Sequence, residues 1–367
     1  MAAKRATGII LAVVLGLILI ASGGVWAARG EIATGLLRRV LARNLTGDPV
    51  AALPDGLHVG LCGTGSPLPD PHRAGPCTLV IAGKRMFVVD TGEGAAKSMS
   101  LMGFMPARLN AAFITHYHSD HIDGLGAVLL QHWAGGAAQA PLPIYGPTGV
   151  TQVVDGFMTA YELDRGYRIA HHGPKVVPPQ GFGGEPRPFE VTKGGGPVTL
   201  IDDADLKVTA FPVDHGPVWP AVGYKFVYKG RSVVISGDTA PAASVEAAAK
   251  GADLLVHEAL SPTLVKMQEE TARAAGRDNL AHVFHDIVGY HTSPEQAAEI
   301  AQRAGVKYLV LSHIVPALPV KALEGPFLGG ARSKFSGTLR LGEDGDFFSL
   351  PAGSDAIETS KRSAMRP

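Results

Sequence analysis

Cysteine is nearly absent: the 367-residue chain has two, Cys62 and Cys77. Two thiols are too few for a disulfide framework and lack the paired spacing of a cysteine zinc site, so any zinc must sit on His and Asp. The pair either forms one bridge or stays as two buried apolar thiols, the second being the favoured reading. Net charge is absent too, with 33 Lys and Arg against 33 Asp and Glu. Without a positive field to draw a polyanion, composition argues against nucleic acid and for a small partner. There is no internal repeat, no low-complexity block and no G-x-S-x-G elbow to carry a nucleophilic serine. What is present is 46% apolar and 18% charged residues, enough for a large core in one or two domains.

One long uncharged run stands at the N-terminus. Lys4 and Arg5 precede Gly8 to Ala28, 21 residues without a charge, the length of a bilayer-spanning helix. Val25-Trp26-Ala27 also reads as a small-residue cleavage site. Residues 1–30 are therefore expected to be a signal peptide or membrane anchor, with residues 8–28 in the inner membrane and the rest periplasmic or secreted. Ile32, Leu36, Leu37, Val40 and Leu41 recur at helical spacing among Arg38, Arg39 and Arg43, over an expected linker helix at 31–52. It either lies on anionic lipid or docks on the domain.

From residue 53 to 352 short β-rich runs alternate with helical stretches, as in a single catalytic domain. Strands are expected at Leu57 to Cys62, Thr78 to Ala82, Met86 to Asp90, Ala111 to Thr115, Val208 to Val213, Val222 to Tyr228, Ser232 to Ser236, Leu254 to His257 and Tyr308 to Leu311. Helices are expected at Gly94 to Met102, Val150 to Leu163, Ala242 to Lys250, Thr263 to Ala275 and Pro294 to Ala304. His172 to Gly196, rich in Gly and Pro, reads as a long loop, and residues 353–367 as a flexible tail.

The strongest chemical signal is Thr115-His116-Tyr117-His118-Ser119-Asp120-His121, after an apolar run. Residues two apart on an extended chain point the same way, so His116 and His118 can share one metal. The chain then turns, and Asp120 and His121 face a second metal from the start of a helix. Neutral imidazole and carboxylate are the ligand types zinc takes.

This segment resembles the signature of the metallo-β-lactamase superfamily, and further motifs follow in order over residues 57 to 343. Gly63-Thr64-Gly65-Ser66-Pro67 and Asp90-Thr91-Gly92-Glu93-Gly94 are similar to turns of its ribonuclease Z and arylsulfatase-like branch. The resemblance implies an α/β fold, a four-layer αββα sandwich. It adds His215 to the first metal, Asp238 as a bridge between metals and His313 to the second. The implied metal set is thus His116, His118, Asp120, His121, His215, Asp238 and His313, holding two Zn2+ per chain with Mn2+ as the alternative. Two such ions about 3.5–4 Å apart share and activate a water, so the nucleophile is a bridging hydroxide. Val256-His257-Glu258-Ala259 and His291-Thr292-Ser293 resemble two ribonuclease Z motifs, which implies that Glu258 and His291 assist proton transfer beside Asp120.

Three features steer the substrate away from RNA. His215 and Asp238 are only 23 positions apart, too few for an RNA-gripping arm; Ile314-Val315-Pro316 follows His313 where a phosphate contact is expected; and export separates the chain from cytoplasmic RNA. Pro69-Asp70-Pro71, Arg73-Ala74-Gly75-Pro76 and the stretch Tyr161 to Arg168 resemble exported arylsulfatase-like members. The expectation is a hydrolase of small sulfate or phosphate esters, with a lactonase or β-lactamase as the alternative, and with no nucleic-acid partner. Arg73, Arg165 and Arg168 are candidate anion contacts, solvated surface charge being the ordinary reading of each. A homodimer is left open.

Overall fold

A computed structural model describes residues 2–362, without the side chains of residues 2–13, 17–21 and 43–46. The described residues divide into two units, 2–48 and 49–362. The first is a single 45-residue helix, α1 (Ala2–Thr46), with no break where anchor and linker were expected to meet. Among the described residues no helix is long and apolar enough to cross a membrane, which corrects the expected placement of residues 8–28 in the inner membrane; the side chains of residues 8–13 and 17–21 lie outside the described residues. Arg29, Glu31, Arg38 and Arg39 interrupt the described part of α1. Export loses its support with the anchor.

The second unit holds strands β1 (Gly56–Gly63), β2 (Cys77–Ala82), β3 (Arg85–Val89), β4 (Leu109–Phe113), β5 (Leu142–Pro147) and β6 (Gly184–Phe189). Strands β7 (Val198–Asp202), β8 (Leu206–Pro212), β9 (Val222–Tyr228), β10 (Arg231–Ile235), β11 (Leu254–Leu260) and β12 (Tyr308–Val315) follow. β13 (Thr338–Leu341), β14 (Asp346–Pro351) and β15 (Glu358–Lys361) close the chain. They form an eight-stranded sheet, β15-β14-β1-β2-β3-β4-β5-β6, and a seven-stranded sheet, β13-β12-β11-β10-β9-β8-β7. Helices α2 (Ala95–Leu101), α3 (Ser119–Ile122), α4 (Leu125–Gly136) and α5 (Val150–His172) come between strands of the first sheet. Helices α6 (Ala243–Ala249), α7 (Pro262–Ala274), α8 (Asp278–Ile287), α9 (Pro294–Ala304), α10 (Glu324–Leu328) and α11 (Ala331–Lys334) come between strands of the second.

Strand alternation explains the layering. Leu57, Val59 and Leu61 of β1 and Phe87 and Val89 of β3 enter a core between the sheets, with Phe113, Tyr224, Phe226, Val256 and Phe348. Residues on the opposite faces, such as Leu79, Val88 and Ile144, pack under α2, α4 and α5. Val234, Leu255 and Leu309 of the second sheet pack under α6, α9, α10 and α11. The result is the expected αββα sandwich.

Several local expectations are revised. α5 continues to His172, its distal half supported by Glu162–Arg165 and Asp164–Arg168 pairs at three- and four-residue spacing. The expected loop from His172 to Gly196 contains β6, whose Pro186 and Pro188 are tolerated because this edge strand pairs only with β5. The expected tail from residue 353 contains β15, paired antiparallel with β14; residues 363–367 lie outside the described residues. Cys62 and Cys77, on adjacent antiparallel strands with Cα atoms 4.9 Å apart, are joined as a disulfide, so the reading of two free buried thiols is corrected.

Candidate metal centre

All seven expected ligands gather at one rim of the sandwich, where strands of both sheets end. β4 runs into Ile114 and Thr115, fixed to each sheet by Ile114 N–H to the Tyr145 carbonyl (2.8 Å) and Val222 N–H to the Thr115 carbonyl (3.0 Å). His116 and His118 follow on extended backbone, and α3 then presents Asp120 and His121 in its first turn. Two glycines make this turn possible. A Cβ on Gly92 would lie 2.3 Å from the Asp120 carbonyl, and one on Gly124 would lie 2.2 Å from the Gly92 carbonyl. His215 stands just beyond β8 and Asp238 just beyond β10.

His313 arrives differently. β11 and β12 pair Glu258 with Ser312 and Ala259 with Ile314, leaving His313 unpaired in a bulge. Its φ is 48°, the left-handed region that a non-glycine residue rarely adopts. The bulge turns the ring out of the strand's alternation and onto the centre.

The candidate ligand atoms of His116, His118 and His215 lie within 4.8 Å of one another, and so do those of Asp120, His121 and His313. Asp238 stands between the two groups, its Oδ2 at 3.3 Å from His121 Nε2, 3.2 Å from His313 Nε2, 3.9 Å from His116 Nε2 and 4.0 Å from His215 Nε2. His313 Nε2 is 3.2 Å from Asp120 Oδ2. His116 Nε2, His121 Nε2 and Asp238 Oδ1 are buried without a hydrogen-bond partner. Orphaned nitrogen and carboxylate atoms converging in this way suit two divalent ions, because a cation removes the cost of leaving them unpaired.

Supporting contacts fix which atoms face inward. Asp90 Oδ2 accepts from His121 Nδ1 at 2.8 Å, leaving Nε2 for a metal, while Asp90 itself is held by the Thr115 N–H and hydroxyl, each at 2.8 Å. His215 Nδ1 donates to the Tyr290 carbonyl at 3.1 Å. Burial, joined by the neighbouring imidazoles, pushes His116 well below its ordinary pKa and keeps it neutral, the form that ligates. Burial opposes charge on His121 too, but the carboxylates of Asp238, Asp90 and Asp120 outweigh it and lift that imidazole well above the usual range. Asp90 had been read only as part of an acidic turn; its role depends on the fold bringing it to His121, 31 positions away.

Glu258 and His291 stand beside this cluster. Glu258 Oε1 accepts from His291 Nδ1 (3.1 Å), Thr292 N–H (2.9 Å) and Thr239 N–H (3.2 Å). Burial disfavours the charged imidazole of His291, yet the Glu258 carboxylate and its hydrogen bond prevail and raise the pKa to about 9. His291 also groups with His215 and Asp238 within 4.8 Å.

The three arginines offered as anion contacts do not join the centre. The buried Arg73 guanidinium donates to Thr64 Oγ1 and the Gly342 carbonyl; Arg165 pairs with Glu162 over the Phe182 ring; Arg168 pairs with Asp164. Arg73 is engaged in the interior, whereas Arg165 and Arg168 belong to exposed pairs on α5.

A sequence profile of the beta-lactamase superfamily domain matches residues 85–314. The chain belongs to the metallo-β-lactamase superfamily and is a metal-dependent hydrolase. Within that class it is 40% identical over 291 residues to a protein named Ribonuclease Z from Mycobacterium bovis, covering 78% of this chain and 96% of that one. A Ribonuclease Z from Mycobacterium avium matches to the same extent. Among solved structures, the short form of human tRNase Z superposes with a TM-score of 0.57 at 24% identity, over 80% of this chain and 99% of the other. The metallo-β-lactamase fold protein YhfI from Bacillus subtilis gives 0.55 at 20% identity, over 81% and 100%. Both likenesses concern the fold.

These relatives overturn the expected arylsulfatase-like activity, and with it the small-molecule ester substrate and the exclusion of nucleic acid. The missing arm was a poor guide, since this domain matches a protein named Ribonuclease Z almost end to end. Between His215 and Asp238 the chain forms the β9–β10 hairpin and little else. Zero net charge misled as well, because it averages over the chain and says nothing of the field at one rim.

Proposed function

We propose that this protein is a two-zinc phosphodiesterase that cleaves RNA in the manner its ribonuclease Z relatives' name describes. The observation that carries the reading is the 40% identity to proteins named Ribonuclease Z over nearly their whole length. The centre suits the chemistry. His116, His118 and His215 would hold one ion, Asp120, His121 and His313 the other, and Asp238 both. Zn2+ fits the imidazole-rich set, with Mn2+ as the alternative. When bound, two such ions supply Lewis-acid charge for a phosphodiester and bring the pKa of a water to about 7.

The protein's own groups do the rest. Asp238 sets the spacing between the two ligand groups, and Asp90 fixes the His121 tautomer. Glu258, anchored by two backbone N–H groups, holds His291 through Nδ1. His291 Nε2 is then the ring atom from which a proton passes to the leaving oxygen. Asp120 serves as a ligand and a neighbour of His313.

The test is cleavage of end-labelled folded and single-stranded RNAs by the purified full chain, with nitrophenyl sulfate and bis-nitrophenyl phosphate as comparators. Metal-dependent RNA cleavage that Asp238→Ala abolishes is expected. A fully metal-loaded chain that leaves every RNA intact while hydrolysing another ester would overturn the reading.

A further inference from the structure

His313 holds its left-handed conformation in a bulge, where it has no partner on β11. Its support comes from two distant loops. On one side the Leu311 carbonyl accepts from Gly342 N–H at 2.8 Å; on the other, Ile314 N–H donates to the Thr64 carbonyl at 2.9 Å. Both contacts lead to one knot. Asp344 Oδ1 accepts from the Thr64 N–H (2.9 Å) and hydroxyl (2.8 Å), while Oδ2 accepts from Ala74 N–H (2.7 Å). One guanidinium nitrogen of Arg73 donates both to Thr64 Oγ1 and to the Gly342 carbonyl, tying the two loops together. Thr64 is fully buried, and the Arg73 side chain is 9% exposed.

We infer that Thr64, Arg73 and Asp344 are positioning residues for the second metal: they clamp the chain on both sides of His313 and hold its ring toward Asp120 and Asp238. The inference rests on the metal-centre reading. None of the three reaches the centre itself. The first ligand group is held differently, because His116 and His118 directly follow Ile114 and Thr115, whose backbone is tied into the two sheets. The knot therefore acts on one ion of the two. This also accounts for Arg73: its guanidinium serves Thr64 Oγ1 and the Gly342 carbonyl and faces Asp70 Oδ2 at 3.7 Å, all within the protein.

The test is metal retention by the full chain. Wild type, Asp344→Asn, Thr64→Val, Thr64→Ser and His313→Ala are loaded with Zn2+ and equilibrated with graded chelator, and the unfolding midpoint of each metal-free form is measured. Asn in place of Asp344 turns an N–H donor toward Ala74 N–H, and Val removes the hydroxyl at an almost unchanged shape. Both are expected to lose one ion at about 10–100-fold lower chelator than wild type, as for other residues that orient ligands, with the other ion retained as in wild type; the metal-free midpoint falls modestly in both, because buried hydrogen bonds are lost. Thr64→Ser, which keeps the hydroxyl, is expected to restore retention. Loss of both ions in parallel shows a merely structural knot and overturns the inference, as does retention equal to wild type in both variants. If His313→Ala keeps both ions, the metal-centre reading itself fails and the inference falls with it.

Discussion

The turn from His116 to His121 and the bulge at His313 bring ligands to one centre by opposite routes. The turn is mostly local: six consecutive residues supply four candidate ligands, the adjacent Thr115 hydroxyl meets the His116 ring, and Asp90, 31 positions before His121, adds one bond from outside. The bulge is non-local. One residue in an unfavoured conformation depends on strand β11, the loop at Thr64 and the turn at Gly342. A local arrangement survives changes elsewhere in the domain, whereas a bulge held from outside is adjustable from outside. The two candidate ligand groups of one centre therefore depend on different parts of the chain.

Removing what the two routes share gives the largest effect. Asp238→Ala takes away the carboxylate lying between both ligand groups, and is expected to lower metal content below one ion per chain and to abolish RNA cleavage. Metal analysis by mass spectrometry and a cleavage assay check this. Full metal content in that variant would mean that the two groups are independent sites.

His291→Ala is expected to lower turnover by about 10²–10⁴ while both ions stay bound, because it removes the proposed proton donor and no ligand. The loss should shrink on a substrate with an activated nitrophenolate leaving group, and an equal loss on both substrates would remove the role. Glu258→Ala should cost as much turnover and also about 1–3 kcal/mol of stability, since Thr239 and Thr292 N–H groups lose their acceptor. Stability measured by urea denaturation separates the two variants.

Asp90→Ala tests how far the turn from His116 to His121 holds its own ligands. Without the carboxylate, His121 Nδ1 loses its acceptor and the ring its fixed orientation, so affinity for an ion should fall by about 10–100-fold. Chelator titration gives the number, and unchanged affinity would show that the turn orients His121 without Asp90.

The same contrast explains what could be read in advance. Local features were legible: the His-rich turn, the helix Pro294–Ala304 and most strands of the two central layers, whose near-continuous apolar runs reflect burial on both faces. The Glu162–Arg165 and Asp164–Arg168 pairs were legible too, from their spacing, and should have removed those arginines as anion contacts. Features made by distant contact were hidden. Arg73 meets Gly342, 269 positions away, and edge strands β6 and β15 are short and polar or proline-bearing, which suits an edge and resembles a loop. The Cys62–Cys77 bridge depends on strand register that no spacing announces.

The smallest effect should come from Ser293, where the proton-donor side of the centre is held locally. Ser293 caps α9 in a reciprocal box: its hydroxyl accepts from Gln296 N–H at 3.2 Å, and Gln296 Oε1 accepts from Ser293 N–H at 2.9 Å. The cap sits two residues after His291, so the start of α9 and the end of the His291 segment are one piece of backbone. Ser293→Ala removes one of the two bonds and is expected to cost about 1 kcal/mol of stability. Turnover should barely change, because Glu258 still holds both His291 Nδ1 and Thr292 N–H. Urea denaturation and the RNA assay on the same preparation check the pair of outcomes. A tenfold loss of turnover at that small a stability cost would show that His291 is positioned through the helix cap more than through Glu258, and would make this side of the centre as dependent on its surroundings as the bulge at His313.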